Sequence, residues 1–105
     1  MANQTNLSNE EILKIMNDGK KMLFFTADWC PDCNAIKPAM PAIMDKFNQY
    51  DWITVDRDAN LEIAQKFEIL GIPTFIALDN GKELGRLGTG QRLAPKEVED
   101  FIAGL

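Results

Sequence analysis

The stretch Lys21-Met22-Leu23-Phe24-Phe25-Thr26-Ala27-Asp28-Trp29-Cys30-Pro31-Asp32-Cys33 decides how the chain folds. Lys21 to Ala27 is a short apolar and aromatic run that follows Gly19 and ends at polar Asp28, the pattern of a buried strand. The two cysteines stand where a helix then begins. Pro31 suits the first helical position, where its missing N–H is not needed, and this makes Cys30 the N-cap. Its sulfur then lies among backbone N–H groups without helical partners, which favours thiolate over thiol and marks Cys30 as the nucleophile. Cys33 lies one turn on, on the same face, placed to attack a mixed disulfide formed by Cys30.

Other uses of the pair rank lower. A closed zinc site needs four ligands, and the sequence holds two Cys and no His. A structural disulfide closing so small a loop contributes only about 2 kcal/mol in the chain-entropy model, and a reducing compartment opposes it. Haem attachment fails because Asn34 follows Cys33. A chance pair in a core helix stays open as the minority reading.

Outward from this stretch, Ser8-Asn9-Glu10-Glu11 fits a capping box for a helix through Met16 that Asn17-Asp18-Gly19 stops. From Pro31 to about Tyr50 the spacing is helical, with Pro38 and Pro41 each expected to break or kink it. Trp52 to Asp56 reads as a strand, Leu61 to Phe67 as a helix with Leu61, Ala64 and Phe67 on one side, and Thr74 to Leu78 as a buried strand. Asp79-Asn80-Gly81 signals a hairpin returning through Leu87, and Pro95 opens a closing helix with Val98, Phe101 and Ile102 inward. This order implies a single domain over residues 1–105, with helices on both faces of a mixed sheet, mainly parallel at first and antiparallel at one side.

At 105 residues, with 46% hydrophobic and 26% charged residues, the composition is that of an ordinary globular chain. The net charge of −5 leaves no basic stripe, which argues against nucleic acid and anionic membrane as partners. The apolar runs are far shorter than the roughly 20 residues that span a bilayer, and residues 1–6 lack the features of a signal peptide. A cytoplasmic location is the expectation, unless a leader has been removed.

Over nearly its whole length the sequence resembles the thioredoxin family. The resemblance rests on Trp29-Cys30-x-x-Cys33, Pro38, Asp56-Arg57-Asp58-Ala59-Asn60, Gly71-Ile72-Pro73-Thr74, Asn80-Gly81 and Gly88. It implies a thioredoxin fold: three α/β/α layers about a central mixed sheet of four to five strands. It implies a cis peptide before Pro73, lying against the cysteines, with Ile72 offering backbone groups to an extended substrate. Trp29, Pro31, Asp32, Gly71, Ile72, Pro73 and Gly88 would shape the docking surface. Asp32, in the first helical turn, complements the helix dipole yet repels the Cys30 thiolate, pushing the couple toward reducing power.

The sequence departs from the family in several places, Pro41 and the Pro31-Asp32 pair among them. Phe24 stands where thioredoxins usually carry a buried aspartate, and Thr54 where they carry its lysine partner. Without that acid, Cys33 must lose its proton to water, to substrate or to a nearby acid, with Asp28 as the candidate, and the Phe24 ring is expected beneath the cysteines. The polar N-terminus offers little for the family's first strand, which should be short or missing.

The resulting reading is a monomeric protein-disulfide reductase, with Cys30 attacking and Cys33 resolving. It would need no metal or bound cofactor and would be recharged by a thioredoxin reductase. A dedicated reductant of one partner such as a peroxidase, or a binding module without turnover, are the alternatives.

Overall fold

The apolar run after Gly19 forms the central strand β1 (Lys20–Thr26) in a computed structural model that describes residues 3–88 and 90–105. β2 (Asp51–Asp56) pairs with β1 in parallel, and β3 (Thr74–Asp79) pairs with its other edge antiparallel. β4 (Lys82–Leu87) completes the sheet in the order β2-β1-β3-β4. Among the four strands β1 and β2 are the one neighbouring pair that is parallel, because β3 runs antiparallel to both β1 and β4. The parallel character expected of the early strands is therefore confined to one pair.

β1 is buried on both faces, and its alternation assigns its side chains to two cores. Leu23 and Phe25 join Ile53, Val55, Ile63 and Ile76 in a cluster that receives Ile12 of α1 (Asn9–Ile15) and Ala64 of α4 (Leu61–Lys66). Met22 and Phe24 join Trp52 and Phe75 on the opposite face. That face receives Ile36 of α2 (Pro31–Ile36), Ile43 of α3 (Met40–Lys46) and Val98 and Ile102 of α5 (Pro95–Ala103). Three layers result.

Local signals explain most element boundaries. Ser8 caps α1 reciprocally: its Oγ accepts the Glu11 N–H at 3.1 Å, and Glu11 Oε1 accepts the Ser8 N–H at 3.0 Å. That contact holds the Glu11 carboxyl below its usual pKa. Asn80 and Gly81 turn the hairpin with φ of 51° and 86°, both in the left-handed region such a two-residue turn requires. Asn80 Oδ1 also accepts the Gly19 N–H at 2.8 Å, which ties the hairpin to the entry of β1.

Two expectations change, on Pro41 and on the buried side of α4, and a third, the shortened first strand, holds. The helix after the cysteines breaks once, at a 3-10 turn over Lys37–Ala39 that contains Pro38. Pro41 causes no second break, because it falls in the first turn of α3, where its absent N–H has no intrahelical partner. On α4 the buried residues are Ile63 and Ala64, while Leu61 at the helix start is 53% exposed. The family's first strand shrinks to one parallel bridge, in which the Gln4 N–H donates to the Trp52 carbonyl and the Thr54 N–H to the Gln4 carbonyl.

Phe24 is buried and pairs in register with Thr54, but it does not lie beneath the cysteines. Its ring stacks on Phe75 with centroids 4.7 Å apart, in the α3–α5 core, whereas Cys30 and Cys33 belong to the other cluster. Phe24 also lines a cavity of about 250 Å³ with Met40, Pro41 and Met44. An acid placed there loses the ring stacking and is buried among largely apolar neighbours. Phe24→Asp should lower stability by about 3 kcal/mol or more, and Phe24→Leu by much less, as read from urea denaturation midpoints. Equal midpoints for Phe24→Asp and the unmodified protein would contradict this packing.

Candidate active site

β1 ends at Thr26, and Ala27-Asp28-Trp29 turns the chain into α2. Cys30 is the N-cap, with extended backbone (φ −84°, ψ 111°), and its Sγ accepts the Cys33 N–H at 3.2 Å. Pro31 occupies the first turn as expected. Cys30 and Cys33 form a disulfide across a Cα separation of 5.2 Å. Cys33 is fully buried and Cys30 is 4% exposed, so Cys30 is the sulfur nearer the surface. A bond that is buried on one side and approachable on the other has a defined order of attack.

The second wall is the loop entering β3. The Ile72–Pro73 peptide is cis, and the Ile72 carbonyl oxygen lies 3.8 Å from Cys30 Sγ. Thr74 Oγ1 donates to the Gly71 carbonyl at 2.6 Å and closes that loop on itself. Gly88, at φ +103°, runs so close to the Pro73 carbonyl that a Cβ there would collide with it. Gly90 packs on Gly71, where a Cβ would lie 3.2 Å from the Gly71 Cα. In front of Cys30 these elements leave a groove of about 410 Å³, bounded by Trp29, Asp32, Arg57, Leu70 and Ile72.

Trp29 stands at the rim, 59% exposed, and is held from two sides. Its indole N–H donates to Asp58 Oδ2 at 2.6 Å, and the Arg57 guanidinium sits 5.2 Å from the ring centroid. The indole hydrogen bond, and after it the Arg57 charge, hold the Asp58 carboxyl below its usual pKa, outweighing slight desolvation. Asp32 pairs with Arg92 of the loop preceding α5, Nε to Oδ1 at 2.9 Å.

Trp29, Pro31, Asp32, Gly71 and Ile72 line the groove at Cys30, Pro73 follows in the cis peptide, and Gly88 packs against Pro73 rather than on the disulfide. Asp28 is not among them. Its side chain is fully exposed, 3.7 Å from Lys37 Nζ, while Cys33 is buried, so this carboxylate is not brought to the second sulfur. Asp58 and Arg92 had no assigned role in the sequence. Asp58 lay inside a segment quoted only for its resemblance, and nothing local marks Arg92, whose partner is 60 positions away. Among the described residues, no group of three or more His, Cys, Asp or Glu is placed to hold a metal. Among the described residues, no helix is long and apolar enough to cross a membrane either.

The depressed Asp58 pKa has a definite sign. Its hydrogen bond to Trp29 persists from neutral pH down through the ordinary carboxylate range and is lost only as pH falls through the lower folded value. Trp29 emission should therefore stay constant as pH falls through the ordinary aspartate range and change only below it. Asp58→Asn, which retains Trp52, should remove that step in a fluorescence titration.

Comparison with known proteins gives the same picture. A family model described as Thioredoxin matches residues 2–103. Thioredoxin-1 of Saccharomyces cerevisiae is 30% identical over 98 residues, covering 93% of this chain and 95% of the relative. Thioredoxin H2 of Arabidopsis thaliana is 40% identical over 63 residues, covering 60% of this chain, and the match spans only 47% of that relative's length. The crystal structure of thioredoxin from Trypanosoma brucei brucei superposes with a TM-score of 0.85 at 31% identity, over 98% of this chain and 89% of the other. The matched span takes in the disulfide turn, the cis-proline loop and the closing helix: this chain belongs to the thioredoxin family.

Proposed function

We propose that the chain is a thiol–disulfide oxidoreductase that reduces protein disulfides. The observation that carries this reading is the Cys30–Cys33 disulfide at a helix N-cap, with one sulfur buried and the other beside the Ile72 carbonyl in an open groove. In the reduced protein the Cys33 N–H that now meets Cys30 Sγ stabilises a Cys30 thiolate, because a charge-assisted hydrogen bond outweighs a neutral one. That thiolate attacks a substrate disulfide, forming a mixed disulfide and expelling one substrate thiolate. Cys33 then gives up its proton and attacks Cys30 Sγ, which releases the second substrate thiolate and closes the Cys30–Cys33 bond. Two electrons pass to the substrate, and its two thiolates take up protons. The sulfur pair is itself the couple, so the transfer requires no bound cofactor.

Substrate would lie along the groove as an extended segment, pairing with the backbone at Ile72 while Trp29 and Pro73 shape its path. Gly71 and Gly88 would contribute by letting backbone approach closely. Return to the dithiol would come from an external reductase of the thioredoxin reductase class. The net charge of −5 and the absence of a basic stripe favour protein partners over nucleic acid or anionic membrane. A monomer in a reducing compartment such as the cytoplasm fits this cycle. Asp28 is left without a part in it, and water or the departing substrate thiolate accepts the Cys33 proton.

The order of attack is open to direct test. Cys33→Ser should accumulate substrate proteins as mixed disulfides on Cys30, visible as dithiothreitol-sensitive adducts on non-reducing gels. Cys30→Ser should trap none, because the buried Cys33 cannot reach a substrate. Both variants should lose at least about a thousandfold in insulin-disulfide reduction. Adducts on Cys30→Ser alone would reverse the roles.

A further inference from the structure

Asp32 lies two residues from Cys30, in the first turn of α2, and its carboxylate opposes a thiolate on Cys30. Arg92 reaches it across the groove mouth at 2.9 Å. The side chains are 65% and 36% exposed, and an isolated pair of this kind contributes little to folding. Residues to either side of Arg92 are nevertheless packed. Leu93 beside it is buried in the α3–α5 core, and Gly90 on the other side is packed on Gly71.

The other charges around Cys30 are already matched: Asp58 meets both the Trp29 indole and Arg57. Asp28 at the start of the turn faces solvent and Lys37. Asp32 is thus the carboxylate whose effect on Cys30 depends on one guanidinium delivered from a distant loop.

We infer that Arg92 is a positioning residue for the redox reaction: held on Asp32, it offsets the carboxylate beside Cys30 and makes the couple less reducing than Asp32 alone would make it. Removing Arg92 leaves Asp32 uncompensated, destabilises the thiolate and hence the dithiol, and favours the disulfide. Removing Asp32 takes away the repulsion and also frees Arg92 to swing into solvent, so the two residues act on the couple as a unit. The inference rests on Cys30 and Cys33 being the working pair.

The test equilibrates each protein with glutathione: protein dithiol plus oxidised glutathione gives protein disulfide plus two reduced glutathione. Four proteins are compared, the unmodified chain, Arg92→Gln, Asp32→Asn and the double variant. Arg92→Gln should raise this equilibrium constant about threefold, which is a potential about 14 mV more negative, since tenfold corresponds to 29.6 mV. In the Asp32→Asn background the same change should shift it by about 1.5-fold or less. Unfolding midpoints should be unchanged throughout, which a purely structural role for Arg92 would not give together with a shifted potential. An unmoved constant for Arg92→Gln, a shift in the opposite sense, or an equal shift in both backgrounds overturns the inference. A wild-type pair that fails to exchange with glutathione at all instead overturns the reductase reading.

Discussion

Everything at the site depends on β1 being paired along both edges. Its parallel register to β2 and antiparallel register to β3 leave it no freedom to slide, since a one-residue slip would send Met22 and Phe24 to the core of Leu23 and Phe25. The end of β1 is therefore set with respect to two neighbours at once. β2 ends beside it and leads into Arg57 and Asp58, which hold Trp29, while β3 begins beside it at the loop of Ile72 and Pro73. The disulfide is placed where three strand termini meet, which also explains why its surroundings come from four distant stretches of chain.

That placement divides the two sulfurs. Cys30 leaves the strand in extended conformation and has not yet entered the helix, so its sulfur meets both a helical N–H and the groove. Cys33, one turn deeper, is covered. The asymmetry is a property of an N-cap beside a first-turn residue, and the family's dithiol cycle needs it: one thiol must meet substrate, and the other must meet only the first.

Electrostatically, the chain carries 16 acidic and 11 basic residues, yet charges near the disulfide are matched rather than simply negative. Arg57 and Trp29 satisfy Asp58, and Arg92 satisfies Asp32. Phe24 carries the same tendency into the interior, where stacking on Phe75 takes the place of a buried ionic pair. Apolar packing at such a position is commonly as stable as the ion pair it replaces, so the fold persists without that pair.

What the sequence by itself determined is what short-range chemistry controls. The Ser8–Glu11 box, the Asn80-Gly81 turn, the apolar run of β1 and the Cys30-Pro31 helix start each work within a few residues, so their outcome is written locally. Pro41 and Leu61 depart from their local pattern because a proline breaks or begins a helix according to where the neighbouring 3-10 turn falls, and because α4 meets the sheet through Ile63 and Ala64. The cis state at Pro73 came from family resemblance, since the bare sequence favours trans. Only the tertiary structure decided that Phe24 belongs to the core opposite the cysteines, that Asp28 faces solvent, and that Arg92 answers Asp32. Each of those outcomes depends on which face or loop arrives from far along the chain, and long-range packing leaves no periodicity or spacing to read.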